Sequence, residues 1–431
     1  MTGASEPRSP ASAREAADVQ SIYDAMCARG IASSEAMGLE VHHSSLRGLK
    51  AANEDRVVVH ECALGLLVAI FDGHYSDELS DYAAKALPPQ LCERIERRAA
   101  QAGGDLSAAV PTALSSGIQD FDRALIEEVY KLFPEGEETD WTDEYWDDEY
   151  YIYETIGRGK EDERFRTVRR ATTGTAALVA FIDKAKKNIW VASLGDSEAV
   201  LGRIEDGELR AIPLNDLHNA SNPREVARLE AEHDGEPPVI YDGRTMRQLA
   251  LTRALGNYQM KLDHFFAYKF LRAAYPSCVI GLQFEFWKER GLEHYHPPYI
   301  SNTPTVERHA LLPGDVLLFA SDGLRDALHR RGVEDGKVPQ AMMALAGAEA
   351  PGTPSMLPAL SDRLGHSLIP IQEESDNIAD RVVRNVLFGS DEGKMSEELS
   401  LVDDNPYGRN RDDISVTVLA YDGGRSLALP A

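Results

Sequence analysis

Residues 66–82 read LLVAIFDGHYSDELSDY. Six apolar residues of the kind a buried strand uses stop abruptly at Asp72-Gly73-His74, and a polar helical pattern follows. Asp-Gly is a common hairpin signal, so on its own the tripeptide reads as a turn. The same arrangement recurs. "IWVASLG" ends at Asp196 and "VLLFAS" at Asp322, "ISVTVLAY" starts directly after Asp412 and Asp413, and Glu54-Asp55 precede "RVVV". Turns alone do not favour carboxylates at so many strand ends. If these ends meet, like charges crowd together and require a counter-ion. Hard divalent cations, Mg²⁺ or Mn²⁺, suit an all-oxygen set of this kind. Gly73, having no side chain, would let its carbonyl approach such an ion. No Cys/His cluster with zinc spacing competes.

The rest of the chain is organised around these strands. "DRVVVHECALGLLVAIF" predicts a β-hairpin. "SDELSDYAAKAL" and "PPQLCERIERRAA" predict two helices, the second opened by its prolines, and "LSSGIQDFDRALIEEVYKLF" predicts a third. From Thr173, "GTAALVAFID", "KNIWVASLG", "EAVLGRIE" and "ELRAIPL" form a β-meander. "NPREVARLEAEH" is a short helix capped by Asn222 or Ser221, with Pro223 in its first turn. Strand "DVLLFAS" leads into helix "DGLRDAL", and helix "IADRVVRNVL" precedes the last strand. Two stretches break the pattern. An insertion at about 133–165 carries the acidic, aromatic "PEGEETDWTDEYWDDEYYIYE" and is expected on the surface, with docking of a basic partner as the sharper reading. A long excursion at about 258–300 has no period and resembles a substrate-facing flap.

Composition narrows the function classes. With 43% hydrophobic residues in 431, the chain can bury a sizeable core. A formal charge of −26 argues against nucleic acid or an anionic membrane as partner, because phosphate binding needs a basic face. The longest apolar run is far short of the ~20 residues of a membrane span. The four cysteines lie far apart and read as free thiols of a reducing compartment. Residues 1–37 are expected to be a disordered leader, since Glu6, Glu15 and Asp18 count against an organelle presequence.

In chain order, "NEDR", "FDGH", "TTGTAALVAFI", "LGDSEAVLGR", "LALTRALGN", "FASDGLRDAL" and "RDDISVTVLAY" resemble the metal-dependent PPM (PP2C-type) protein serine/threonine phosphatases, from about Asn53 to Asp413. The resemblance implies an α+β fold, a four-layer α-β-β-α sandwich of two packed, mostly antiparallel sheets. It also implies a single catalytic domain over residues 38–425. By the same resemblance, Asp72 would bridge two metals, with the Gly73 carbonyl holding one of them. Asp322 and Asp412 would complete the pair, and Glu54 and Asp55 would act mostly through waters. Asp196 and Asp326, with Asp322, match positions for a third, weaker metal.

The implied reaction is direct attack of a metal-bridging hydroxide on phosphoserine or phosphothreonine, with His74 as the general acid. Lys50 stands where the family often has a phosphate-gripping arginine, and Arg47 is the alternative grip. Asp413 stands where many relatives have Asn, Asn257 replaces a frequent Asp, and Arg325 replaces a large aromatic residue and reads as solvent-facing. Within the family, "LHNASNPREVARLEAEH" and "HYHPPYISNTPTVERHALLPGD" resemble the pyruvate dehydrogenase phosphatase branch. That branch would imply a mitochondrial-matrix enzyme acting on the pyruvate dehydrogenase complex; otherwise the expectation is a cytoplasmic one, and in either case a monomer. The competing readings are a pseudophosphatase that binds phosphoproteins, and a two-metal hydrolase of small phosphate esters.

Overall fold

The structure is a computed structural model. It describes residues 19–132, 154–157, 159, 161–262, 296–348, 355–370, 376–400 and 411–421. Most of the acidic insertion and of the excursion expected at 258–300, together with Cys278, lies outside the described residues.

Helix α1 (Val19–Met26) leads into strands β1 (Cys27–Ser34), β2 (Leu39–Leu46), β3 (Asp55–Cys62) and β4 (Gly65–His74). Helices α2 (Glu78–Gln101), α3 (Leu106–Tyr130) and α4 (Glu163–Thr172) follow. The meander is β5 (Gly174–Asp183), β6 (Asn188–Leu194), β7 (Glu198–Glu205) and β8 (Glu208–Pro213). Next come α5 (Pro223–Glu232), the two-residue strands β9 (Ile240–Tyr241), β10 (Arg244–Thr245) and β11 (Leu255–Gly256), then β12 (Thr305–Ala310) and β13 (Asp315–Ala320). The chain closes with α6 (Asp322–Arg330), α7 (Val338–Leu345), α8 (Leu357–Leu364), α9 (Ile378–Leu387), α10 (Glu392–Ser400) and β14 (Ile414–Tyr421).

Two antiparallel sheets result. One has the order β1-β2-β14-β13-β7-β8, and the other β12-β6-β5-β4-β3 with β11 added on β5. The unbroken apolar run of β4 is explained by cover on both faces. Leu66, Val68 and Ile70 face the other sheet, among Leu178, Val191, Leu317 and Phe319. Leu67, Ala69 and Phe71 face α2 and α3, among Leu87, Leu91, Ile118 and Phe121. Each such side chain contributes roughly 1.5–3 kcal/mol by leaving water. On the far side, α6, α7 and α9 cover the first sheet through Leu324, Met342, Val382 and Val386. The layers are therefore helix, sheet, sheet and helix. Among the described residues, no helix is long and apolar enough to cross a membrane.

The structure departs from the sequence reading in several places. Order begins before Gly38: β1 pairs with β2 from Cys27↔Leu46 to Ser34↔Leu39, and Tyr23 is buried against Phe388. "CARGIASS" carries no alternation because this strand is recruited by its partner's backbone. The two helices expected around residues 77–100 are one, with Pro88 and Pro89 inside it. Each internal proline costs about 3 kcal/mol, and the buried row Leu79, Ala83, Leu87, Leu91 and Ile95 offsets that cost. Cys62 and Cys92 are not free thiols: they are joined, with Cα atoms 5.6 Å apart, where α2 packs beside the end of β3. Cys27 is free and buried. The short helix is capped as expected, with Asn222 accepting from the Arg224 N–H.

Candidate active site

The strand-end acids converge because both sheets end at one place. Asp55 opens β3 and Asp72 nearly closes β4, and the two are direct partners across the ladder. Asp196 lies in the link between β6 and β7, where the meander passes from one sheet to the other. Asp322 starts α6 just after β13, and Asp412-Asp413 precede β14 in the first sheet. Contact across the gap is direct: the Asp322 backbone N–H donates to Asp72 Oδ2 at 3.4 Å.

Electrostatics ties the group together. Burial, then the charges of Asp322, Asp55, Asp412 and Asp196, push the Asp72 carboxyl well above the ordinary range. Burial, then Asp196, Asp412, Asp326 and Asp55, does the same to Asp322. Burial raises Asp55 to about 7 and Asp196 to about 6. Asp326 is raised too, by burial, although its residue is exposed at the rim. Metal-free, these acids compete for protons because they repel one another.

Gly73 sits where a side chain has no room. A Cβ would meet the Glu54 carbonyl oxygen at 2.6 Å and Ser80 Oγ at 2.8 Å. Its N–H donates to the Glu54 carbonyl at 3.2 Å, and Ser80 Oγ donates to the same oxygen at 2.5 Å. Asp413 holds the loop in place: Oδ1 accepts from the Gly48 N–H at 2.6 Å and Oδ2 from the Glu54 N–H at 2.7 Å. An asparagine offers only one acceptor oxygen, so the aspartate at this position has a structural purpose.

Lys50 is placed differently from the sequence expectation. Its Nζ lies 2.7 Å from Glu54 Oε2, 2.8 Å from Asp412 Oδ1 and 3.8 Å from Asp413 Oδ2. It points into the acids. Burial works against its charge, but Asp412, Glu54 and Asp413 outweigh burial and hold its pKa above the ordinary lysine value. Glu54 is still pushed up, because its own burial outweighs the pairing with Lys50. Arg47 does not grip these acids: its Nη1 donates to the Ala51 carbonyl at 3.1 Å, and its Nε is buried without a partner.

His74 packs over Gly174, with Nε2 at 2.8 Å from Asn257 Oδ1. With the amide in this orientation the imidazole donates there. Burial lowers the ring to about 4, so at neutral pH it is uncharged and its one N–H is committed to Asn257. Asn257 itself is held in the left-handed region at φ 53°, a conformation asparagine tolerates. Its neighbour Gly256 donates to the buried Asp122 of α3 at 2.7 Å, and Asp122 also pairs with Lys261 Nζ at 2.7 Å. Arg325 is not solvent-facing. It makes a forked ion pair with Glu198, Nε to Oε2 at 2.9 Å and Nη2 to Oε1 at 2.6 Å, because the first turn of α6 leans on the start of β7. Sequence reading missed Ser80, Asp122 and the Arg325–Glu198 pair. Each acts through a partner far away in the chain, and no local motif marks it.

The donor set fits a hard divalent cation. Asp55 Oδ2 and Asp322 Oδ1 are buried with no hydrogen-bond partner. The strand-end acids all offer oxygen, as does the Gly73 carbonyl. Among the described residues, no three acids or imidazoles are drawn together tightly enough to form a finished metal cage. Among these acids, Glu54 and Asp412 are paired with the Lys50 ammonium.

A family model described as Protein phosphatase 2C matches residues 105–335. The chain belongs to the protein phosphatase 2C family. The matched span contains Asp196, Asp322 and Asp326. A protein phosphatase 2C homolog of Schizosaccharomyces pombe is 30% identical over 260 residues, 58% of this chain and 54% of the relative. The human mitochondrial pyruvate dehydrogenase [acetyl-transferring]-phosphatase 2 is 30% identical over 276 residues, 61% of this chain and 50% of the relative. The Saccharomyces cerevisiae pyruvate dehydrogenase phosphatase 1 is 24% identical over 384 residues, 82% of this chain and 61% of the relative. This phosphatase 2C chain spans about half the length of the first two relatives. Among solved structures, the serine-threonine phosphatase 2C of Toxoplasma gondii aligns over 91% of this chain and 98% of that one, at 15% identity and a TM-score of 0.48.

Proposed function

We propose that this protein is a metal-dependent phosphatase of phosphoserine and phosphothreonine in proteins. The observation that carries the reading is the facing pair Asp72 and Asp322. Both are driven far above the usual carboxylate range, and Asp322 keeps an oxygen buried without a partner. A chain gains nothing in stability from such repulsion, and functional sites are where it is tolerated.

In this reading Asp72, the Gly73 carbonyl, Asp322 and Asp412 would hold two divalent cations, Mg²⁺ or Mn²⁺. Glu54 and Asp55 order the surrounding water, and Asp196 and Asp326 with Asp322 provide for a third, weaker ion. Bound cations would supply the activation of water and the neutralisation of phosphate charge. Asp413 and Ser80 fix the loop that presents Glu54. His74 is held against Asn257 beside the acids; its role as proton donor to the leaving alkoxide is part of the proposal and requires that the ring first take up a second proton on Nδ1. Lys50 and Arg47 are the proposed phosphate-binding groups; the ion pairs of Lys50 favour a second role as counter-ion. The substrate proposed is a phosphorylated protein of the pyruvate dehydrogenase complex, with the mitochondrial matrix as its location. The named mitochondrial relatives and the two branch-like segments support this.

One observation favours a second reading, a pseudophosphatase that binds phosphoproteins without turning them over: Lys50 already neutralises part of the acid cluster. Phosphopeptide turnover with Mn²⁺ or Mg²⁺, before and after thorough chelation, separates the two. The enzyme reading expects turnover that vanishes with the metal and returns on its readdition. Turnover that survives chelation overturns the metal chemistry, and none under any metal leaves the binding protein.

A further inference from the structure

Away from the acids, in the helical layer over the first sheet, α7, α8, α9 and the segment following α8 line a half-open pocket of about 330 Å³. Its walls are chiefly apolar: Leu345, Leu357, Pro358, Leu368, Ile369 and Pro370. Its floor holds a charge. Arg381, from α9, lines the cavity yet is only 5% exposed. Its Nη1 is buried with no hydrogen-bond partner, and Nη2 makes one long contact, donating to the Ala346 carbonyl at 3.4 Å. Among the described residues, no carboxylate lies within ion-pair distance of it. Burial lowers its pKa to about 10, only partly countered by the charge of Asp376.

A guanidinium has five N–H donors and remains charged in a protein. Burying it unpaired is costly, and native structures compensate such groups with a partner. The other polar groups here are already used. Asn385 accepts from the Ile369 N–H at 2.7 Å and donates to the Ile369 carbonyl at 3.1 Å, and Ser361 Oγ donates to the His366 carbonyl at 2.7 Å. Among the described residues, no carboxylate contacts Arg381 in this apolar setting, and Asp376 acts on it only through space.

We propose that this cavity is a binding site for a small monocarboxylate with an aliphatic body, its carboxylate on Arg381 and its chain along Leu345, Leu357 and Ile369. The size fits. An engineered cavity of about 150 Å³ takes benzene, so about 330 Å³ accommodates on the order of ten heavy atoms. The single unpaired cation selects one charge: a phosphate dianion would find too few donors among walls otherwise apolar. A neutral alcohol of equal length would bury the same chain but leave Arg381 unpaired.

The test is calorimetric titration of the full chain with octanoate, 1-octanol and acetate, and it needs no knowledge of the phosphatase substrate. Octanoate is expected to bind saturably at one site, at least tenfold tighter than octanol, while acetate shows no binding in the same range. Arg381→Met should remove that preference for octanoate while leaving octanol binding in place. Its melting temperature should equal or exceed that of the parent, because an unpaired buried charge has been removed. Leu357→Trp, which fills the cavity and keeps Arg381, should abolish binding of both. Equal affinity of the parent for octanoate and octanol, a preference for octanoate that survives Arg381→Met, octanoate binding that survives Leu357→Trp, or no octanoate binding at millimolar concentration each overturns the proposal.

Discussion

Lys50→Met discriminates most sharply between the roles open to this lysine. In the structure its ammonium takes Glu54 Oε2 at 2.7 Å and Asp412 Oδ1 at 2.8 Å. Any divalent cation that binds those oxygens must first displace it. The side chain is 35% exposed, so each contact is discounted toward the surface value, about 1 kcal/mol. Two contacts make roughly 2 kcal/mol that a metal ion forfeits, about thirtyfold in its dissociation constant. Lys50→Met is isosteric enough to keep the loop, which Asp413 holds through Gly48 and Glu54. Mn²⁺ binding measured by equilibrium dialysis should therefore tighten by an order of magnitude or more. If Lys50 instead turned toward substrate, Mn²⁺ affinity would stay put and inhibition by inorganic phosphate would weaken. An unchanged or weaker Mn²⁺ affinity refutes the argument that this lysine serves the acids as a resident counter-ion.

Three other outcomes follow from the same geometry. Asp322→Asn removes one charge from a self-repelling cluster, so it should abolish more than nine-tenths of phosphopeptide turnover while raising metal-free stability by about 1 kcal/mol in urea unfolding; loss of stability instead would mean the repulsion is not present. His74→Ala should slow phosphoserine substrates far more than p-nitrophenyl phosphate if His74 delivers a proton, because nitrophenolate leaves without one, whereas equal losses would leave it a positioning group held by Asn257. His218, buried with its pKa lowered to about 4, binds a proton less readily folded than unfolded, so it costs stability as pH falls from about 6.5 to about 4, up to about 3 kcal/mol. The stability difference between wild type and His218→Gln should shrink or reverse on acidification across that window, and a pH-independent difference would show that His218 titrates normally.

The legibility of this chain follows the range over which its information is stored. Asp72, Asp196, Asp322 and Asp412 are legible because each stands at one end of an apolar run, a pattern visible within ten residues. The β3–β4 hairpin, the meander and the Asn222 cap are local in the same sense. What escaped notice is set by partners far off in sequence. "CARGIASS" becomes a strand only because β2 offers its edge. Cys62 meets Cys92 only once α2 lies beside β3. Arg325 reads as exposed in sequence because its helix position gives no sign that Glu198 lies beneath it. Pro88 and Pro89 read as a helix start, and only burial against β4 shows why one helix runs through them.

The placement of the acids also says how the fold serves the chemistry. Glu54, Asp55, Asp72 and Gly73 lie in or directly beside strands of one sheet, and Asp322, Asp412 and Asp413 directly flank strands of the other. Neither sheet alone assembles the cluster. The Asp72–Asp322 approach is therefore fixed by how closely the two inner faces pack, and stacked sheets stand about 10 Å apart according to the size of the side chains between them. Here those side chains are Val68, Ile70, Leu317 and Phe319. Core packing thus sets the geometry of groups that carry no apolar atoms into it. The outer layers fix the remaining coordinates: α3 holds Asn257, and through it His74, by way of Asp122 and Gly256, while α6 is pinned to β7 by Arg325 and Glu198. The site is built from charges that repel one another, so its precision has to come from residues that never touch a substrate.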